Sequence, residues 1–279
     1  MRVWLRQLPA GVAKQADHRM DPITKRRTRS GTAYIDSGDG EDVVVLVHGS
    51  FLSSLSWERY ISELSANNLR TIALDLAGHG DTPGDLATVT MDTYRDNVAD
   101  VVSEIDVANP LLVGHSMSGL VVLMNVRDGL SSRAVAIDPS PSLEVQGVGS
   151  IEGVPDVYDV FDAGMPTDSD KIAAALPDIG QDALADLEAM VGPESGNARR
   201  QRKLGVSVPK EALANAQVAF VGGSLGTSLP FGISAESTQT MADFYNKRAT
   251  IIDGATHPGI IAGNHADEVI RTITEFAKK

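Results

Sequence analysis

No cysteine occurs among the 279 residues, which removes disulfides, thiolate zinc sites, iron–sulfur clusters and cysteine nucleophiles together. Nor is there a run of about 18 consecutive apolar residues, so no membrane-spanning helix is expected. Base is scarce relative to acid: 24 Lys and Arg stand against 37 Asp and Glu, a formal charge of −13. Such a chain repels nucleic-acid phosphates and anionic membranes at long range, and a role on either would need a local basic exception. Walker loops, HxHxDH-like clusters and haem-attachment strings are missing, so metal, nucleotide and haem are not implied and the expected cofactors are none. Solenoid repeats and low-complexity tracts are missing too.

The basic exception lies at the N-terminus. Residues 1–30 carry Arg2, Arg6, Lys14, Arg19, Lys25, Arg26, Arg27 and Arg29 against Asp17 and Asp21, a local charge of +6 that leaves −19 for the rest. Arg, Gln, Pro and Lys interrupt the apolar residues of positions 1–18, so the apolar stretch of a secretory signal does not form and a cytoplasmic protein is expected. We read 1–30 as a solvated basic arm that lies across the acidic body.

From Gly40 onward, short apolar runs at 43–47, 71–74, 111–113, 134–137, 218–221 and 249–252 alternate with helical stretches at 57–66, 91–105, 118–127, 236–245 and 266–276. Continuous β-rich runs suit strands buried on both faces, and their alternation with helices predicts an α/β fold, a mostly parallel central sheet flanked by helices. The core then comprises 31–140 and 210–279, and 141–209, which has no buried-strand pattern, reads as an inserted helical cap. Acids crowd the first part of that insertion, whereas Arg199, Arg200, Arg202 and Lys203 cluster just beyond. These charges are expected to form a solvated surface.

The strongest local signal is Gly114-His115-Ser116-Met117-Ser118-Gly119, where an apolar run leads into Ser116 and a small-residue helix follows. That is the context of a nucleophile elbow, with small neighbours letting strand and helix approach around a strained serine. Ser118 stands where the motif has glycine. An earlier turn, His48-Gly49-Ser50-Phe51, can present a backbone N–H beside the elbow. We assign the oxyanion donors to the N–H groups of Ser50 and Met117, with Phe51 the alternative to Ser50. His48 is expected to brace the turn.

Together with Asp75-Leu76-Ala77-Gly78-His79-Gly80-Asp81-Thr82 and Gly254-Ala255-Thr256-His257, these motifs in this order resemble the α/β-hydrolase superfamily over about residues 30–279 apart from the insertion. The resemblance implies a cap over the active site and a serine, acid, histidine chain order. His257, in the Gly-containing loop after the last buried run, is the expected general base, with His265 the alternative. Most superfamily members place an Asp after the penultimate strand, but the loop at 222–230 holds no carboxylate. Asp138, after the strand that follows the elbow, is therefore the expected acid and Glu236 the second choice; the structural alternative is that Asp138 buttresses the turn before Pro139. An acid at this earlier place is similar to the zearalenone lactonases, which use Glu there.

The expected function is a cofactor-independent serine hydrolase of a small-molecule carboxylic ester or lactone, with Ser116, His257 and Asp138 catalytic. The alternatives are another chemistry on the same fold (lyase, acyl transferase or cofactor-free oxygenase) and a non-catalytic ligand receptor. Tyr158, Phe161, Met165 and Met190 are the residues of the insertion that could shape a substrate site.

Overall fold

The computed structural model describes residues 24–226 and 233–278. Its centre is an eight-stranded sheet made of β1 (Lys25–Arg27), β2 (Ala33–Ser37), β3 (Val43–Val47), β4 (Arg70–Leu74), β5 (Leu111–His115), β6 (Arg133–Ile137), β9 (Gln217–Gly223) and β10 (Arg248–Ile252). Their order is β1-β2-β4-β3-β5-β6-β9-β10, parallel from β4 to β10, with β1 and β2 antiparallel at one edge. All six apolar runs are strands of this sheet. The edge pair escaped the sequence pattern because it has no continuous apolar run.

Period-two alternation sends the residues of each central strand to opposite faces. Val43, Val45 and Val47 join one core with α2 (Met91–Ile105), α3 (Met117–Arg127) and α8 (Ala235–Tyr245), while Val44 and Leu46 join another with α1 (Glu58–Ala66), α9 (Gly259–Ala262) and α10 (Ala266–Ala277). Both faces of β3 therefore have to be apolar, as its uninterrupted Val/Leu composition demands. Helix α3 is buried from Met117 to Val126, which explains why its sequence lacks a polar face.

Between β6 and β9 the chain forms α4 (Leu143–Gln146), β7 (Val157–Tyr158), α5 (Ser169–Ala175), α6 (Gln181–Met190), β8 (Glu194–Ser195) and α7 (Gly196–Leu204). The Asp168 carboxylate caps α5 by accepting from the Lys171 N–H at 3.0 Å. The insertion also contains a two-stranded β7–β8 pair, too short to leave a signal in the sequence. Two apolar clusters seat it on the carboxyl edge of the sheet, one centred on Ile172, Leu176, Ile179 and Leu187, the other on Phe51, Tyr158 and Val160.

The Asp75–Thr82 turn is built around the buried Asp75 carboxylate, which accepts from the backbone N–H of Ser54 (2.7 Å) and of Asp81 (2.9 Å) and from Lys25 Nζ (2.7 Å). Lys25 belongs to the stretch read as a solvated arm. Its strand instead joins the sheet, so the last part of that arm is ordered structure, and residues 1–23 lie outside the described residues.

Candidate active site

Strand β5 ends at His115 and α3 begins at Met117, which leaves Ser116 to carry the whole change of direction at φ 56° and ψ −118°. A non-glycine residue persists in that region only where its surroundings over-determine it. The Ser116 N–H donates to the Ile137 carbonyl at 2.9 Å, and its own carbonyl accepts from the N–H of Gly119 at 3.0 Å and of Ser140 at 2.9 Å. A Cβ at Gly114 would stand 2.0 Å from the Ser118 carbonyl oxygen, so strand and helix meet only because that position has no side chain. Ser118 is buried and donates its hydroxyl to the His48 carbonyl, which ties the first turn of α3 to the end of β3. The departure from glycine thus adds a fastening.

His257 lies in the turn between β10 and α9. Its Nε2 is 3.0 Å from Ser116 Oγ and its Nδ1 3.3 Å from Asp138 Oδ2. Asp138 directly follows β6 at φ 40° and is fully buried. Its carboxylate also accepts from the Gly223 N–H at 3.2 Å and the Thr238 hydroxyl at 3.1 Å. The three residues singled out from the sequence stand in one hydrogen-bonded row. Glu236 is exposed in the first turn of α8, and His265 immediately precedes α10 with Nδ1 3.7 Å from Glu268 Oε1. Neither joins the row. The loop after β9 is described only as far as Gly226, so Thr227 to Pro230 lie outside the described residues.

Two further histidines frame the row as neutral rings. His48 donates from Nδ1 to the Gly49 carbonyl (2.8 Å) and accepts the Leu76 N–H at Nε2 (3.0 Å), the brace expected of it. Burial, reinforced by the neighbouring His79, lowers its pKa to about 4. The His115 ring lies 4.6 Å from that of His257 and donates from Nε2 to the His257 carbonyl at 3.0 Å. Its burial and then the neighbouring His257 hold it well below the ordinary value.

The turn at Gly49–Phe51 passes against Ser116, since a Cβ at Gly49 would stand 3.1 Å from Ser116 Cβ. Hydrogen bonds within the described residues use neither the Ser50 N–H nor the Met117 N–H. Phe51 has φ 70° and gives its carbonyl to the Gly192 N–H of the insertion at 2.8 Å. Ser50 and Met117, whose backbone donors are unused, stand next in the chain to Gly49 and Ser116 at this approach.

A cavity of about 420 Å³ opens over Ser116 and His257. Phe51, Leu176, Leu187 and Ile261 line one part with apolar surface; Tyr158 and Met165 of the insertion also face it. Phe161 is exposed instead. The basic cluster is not the solvated surface expected from its sequence: Arg199, Arg202 and Lys203 line the cavity, and Arg200 turns away to pair with Asp156 at 3.0 Å. Helical spacing causes the split, because positions 199, 202 and 203 share a face that 200 does not. The sequence signal was present, but it had no direction until the helix was placed.

Asp178 of the insertion was also missed. Its carboxylate accepts from the Thr256 N–H at 2.8 Å and the Thr256 hydroxyl at 2.7 Å, which fixes the residue next to His257.

A family model described as alpha/beta hydrolase family matches residues 44–272. A non-heme chloroperoxidase of Kitasatospora aureofaciens is 30% identical over 145 residues, 51% of this chain and 52% of that protein. Human protein phosphatase methylesterase 1 is 35% identical over 100 residues, 34% of this chain and 26% of that protein. The chain thus spans about half the length, or less, of these relatives. Among solved structures, a monoacylglycerol lipase of Paleococcus ferrophilus superposes with a TM-score of 0.65 at 19% identity, covering 88% of this chain and 98% of that one.

Proposed function

The chain belongs to the alpha/beta hydrolase family, and from that premise we propose that it cleaves a carboxylic ester or lactone through an acyl-enzyme on Ser116. The observation that carries this reading is the row Ser116 Oγ to His257 Nε2 (3.0 Å) and His257 Nδ1 to Asp138 Oδ2 (3.3 Å), set at the floor of a cavity. Matches to a methylesterase and a lipase support ester chemistry.

In this reaction His257 Nε2 takes the Ser116 proton as Oγ attacks the acyl carbon, and the carbonyl oxygen becomes an oxyanion held by the N–H groups of Met117 and Ser50. Collapse breaks the carbon–oxygen bond of the alcohol, which leaves with the proton from His257. Water then adds to the acyl-enzyme, giving its proton to His257, and the acid departs as Ser116 recovers its own. Asp138 holds the imidazole in the tautomer that keeps Nε2 bare and stabilises the imidazolium. Each turnover consumes one water. The cap formed by the insertion and the cavity walls select the substrate.

Intact-protein mass spectrometry after treatment with a fluorophosphonate, beside hydrolysis of short 4-nitrophenyl esters and lactones, tests the reading. One adduct and ester turnover are expected in the wild type, and both vanish in Ser116→Ala. The match to a chloroperoxidase supports a second reading, a non-hydrolytic reaction on the same pair. An adduct without turnover of any ester or lactone would favour it.

A further inference from the structure

In a chain of net charge −13, the charged side chains on the cavity wall are all cationic: among the described residues, Arg199, Arg202 and Lys203 line it and no carboxylate does. Asp138 is shut off behind His257, Gly223 and Thr238. We propose that the substrate carries a carboxylate, and that Arg202, assisted by Arg199 and Lys203, binds it beside the reacting carbonyl. The proposal rests on the hydrolase reading of Ser116 and adds the chemical class of the substrate.

Arg202 carries the argument. Its Nη1 donates to Ser140 Oγ at 3.1 Å and its Nη2 to Ser50 Oγ at 3.4 Å. These two residues adjoin the nucleophile: the Ser140 N–H donates to the Ser116 carbonyl, and Ser50 is an assigned oxyanion donor. The guanidinium is thus held within reach of a group attached to the reacting acyl or alcohol. Its partners are hydroxyls, which orient a guanidinium without neutralising it. Arg202 Nε is buried with no hydrogen-bond partner among the described residues. A guanidinium on the cavity wall, held through its two terminal nitrogens by neutral hydroxyls alone, keeps its positive charge for a carboxylate, which it can bind through paired N–H donors.

The buried Glu194 feels the charge of Arg202 across a distance, but no ion-pair contact joins the two among the described residues. Its Oε1 accepts from the Tyr94 hydroxyl and from the Ser195 N–H (2.7 Å), and its Oε2 faces His79 Nε2 at 3.6 Å. Within the described residues Glu194 pairs with His79 and forms no ion pair with Arg202. Arg199 lies over the Tyr158 ring with its guanidinium carbon 4.6 Å from the centroid, lines the cavity, and forms no ion pair among the described residues. The apolar lining of the same cavity, including Phe51, Leu176, Leu187 and Ile261, accommodates the carbon skeleton, which makes the favoured substrate amphiphilic, with one charged end.

Matched esters test this: mono-4-nitrophenyl glutarate against 4-nitrophenyl pentanoate, which places charge on the acyl side, and 4-carboxyphenyl acetate against 4-methylphenyl acetate, which places it on the alcohol side. In the wild type the anionic member of at least one pair is expected to have the higher kcat/KM by roughly 10- to 100-fold, the range of a charge-assisted hydrogen-bonded pair. That ratio should collapse toward one in Arg202→Gln, chiefly through KM, and return in part in Arg202→Lys. Should Arg202→Gln not fold, the wild-type ratio must fall as NaCl rises, because a partly exposed ion pair is screened. Neutral esters hydrolysed as well as anionic ones in both pairs would overturn the proposal. So would an equal loss on both members in Arg202→Gln, which would place Arg202 on the reacting carbonyl instead. If no ester is hydrolysed, the hydrolase reading falls by itself, and calorimetry with glutarate then decides the anion site: binding lost in Arg202→Gln upholds it, and no binding to the wild type sinks it.

Discussion

Asp138 keeps a carboxylate where its own backbone is uncomfortable, at φ 40°, and surrounds it with donors: the Gly223 N–H, the Thr238 hydroxyl and His257 Nδ1. Strain of this kind costs about 1–3 kcal/mol and persists because the neighbourhood allows nothing else. A Cβ at Gly222 would stand 3.0 Å from Asp138 Oδ1 and from Thr238, so the glycine of β9 makes room for the carboxylate that follows β6. Asn at 138 would turn an N–H toward groups that now donate, and His257 Nδ1 could accept it only in the tautomer that protonates Nε2. We therefore expect Asp138→Asn to lower kcat by about 10²- to 10⁴-fold with the fluorophosphonate reaction slowed in parallel. Glu236→Gln should leave steady-state kinetics unchanged, because Glu236 is exposed on α8 and makes no bond to His257. Equal losses in the two variants would move the acid away from Asp138. At this scale Ser116, His257 and Asp138 were legible because each follows a strand at a distinctive place in the chain. The Thr238 bond was not, since it comes from a helix 100 residues further on.

The insertion is clipped to the histidine loop by one buried side chain. Asp178, 6% exposed, takes two hydrogen bonds from Thr256, while its backbone carbonyl accepts from the Asn264 N–H at 3.1 Å. Gly259 exists to let it in, because a Cβ there would lie 1.8 Å from Asp178 Oδ2. Asp178→Ala leaves the Thr256 N–H buried without its acceptor and is expected to destabilise the protein by about 2–3 kcal/mol in urea titration. Ester turnover should fall with it, because Thr256 adjoins His257. A stable variant of undiminished activity would show the clip to be dispensable. Helix α7 teaches the same lesson from the other side: its bases were plain in the sequence, yet only the seating of the helix decided that 199, 202 and 203 face the cavity and 200 faces Asp156.

Across the whole molecule, buried titratable groups set a pH dependence of stability. Folded His48 takes up its proton only near pH 4, whereas an unfolded histidine does so near about 6.5. As pH falls through that window the unfolded state binds the extra proton and gains, so stability declines, by up to about 3 kcal/mol from this residue. The depressed His115 acts in the same direction. Burial alone would raise the Glu194 carboxyl, but the nearby His79 and the Tyr94 hydroxyl bond override this and lower it to about 2, so its contribution, complete above about pH 4.5, fades as pH falls toward 2. Calorimetric melting between pH 7 and 4 should show the midpoint falling with acid. The slope should be shallower in His48→Asn, which keeps a donor and an acceptor but no titration; an unchanged slope would remove His48 from the account.

What the sequence determined by itself was the alternation of strand and helix, the two-faced burial of the central strands, and the choice of Ser116, His257 and Asp138, which the fold brings into one hydrogen-bonded row. These depend on local periodicity and on residues at or shortly after strand ends, and both are written in short stretches of chain. The tertiary structure alone decided that Lys25 from the supposed arm pairs with Asp75, that Asp178 fastens the loop of His257, and that three bases on α7 turn inward. Each of these joins segments far apart in the chain, where the direction of a side chain depends on how one element is seated against another.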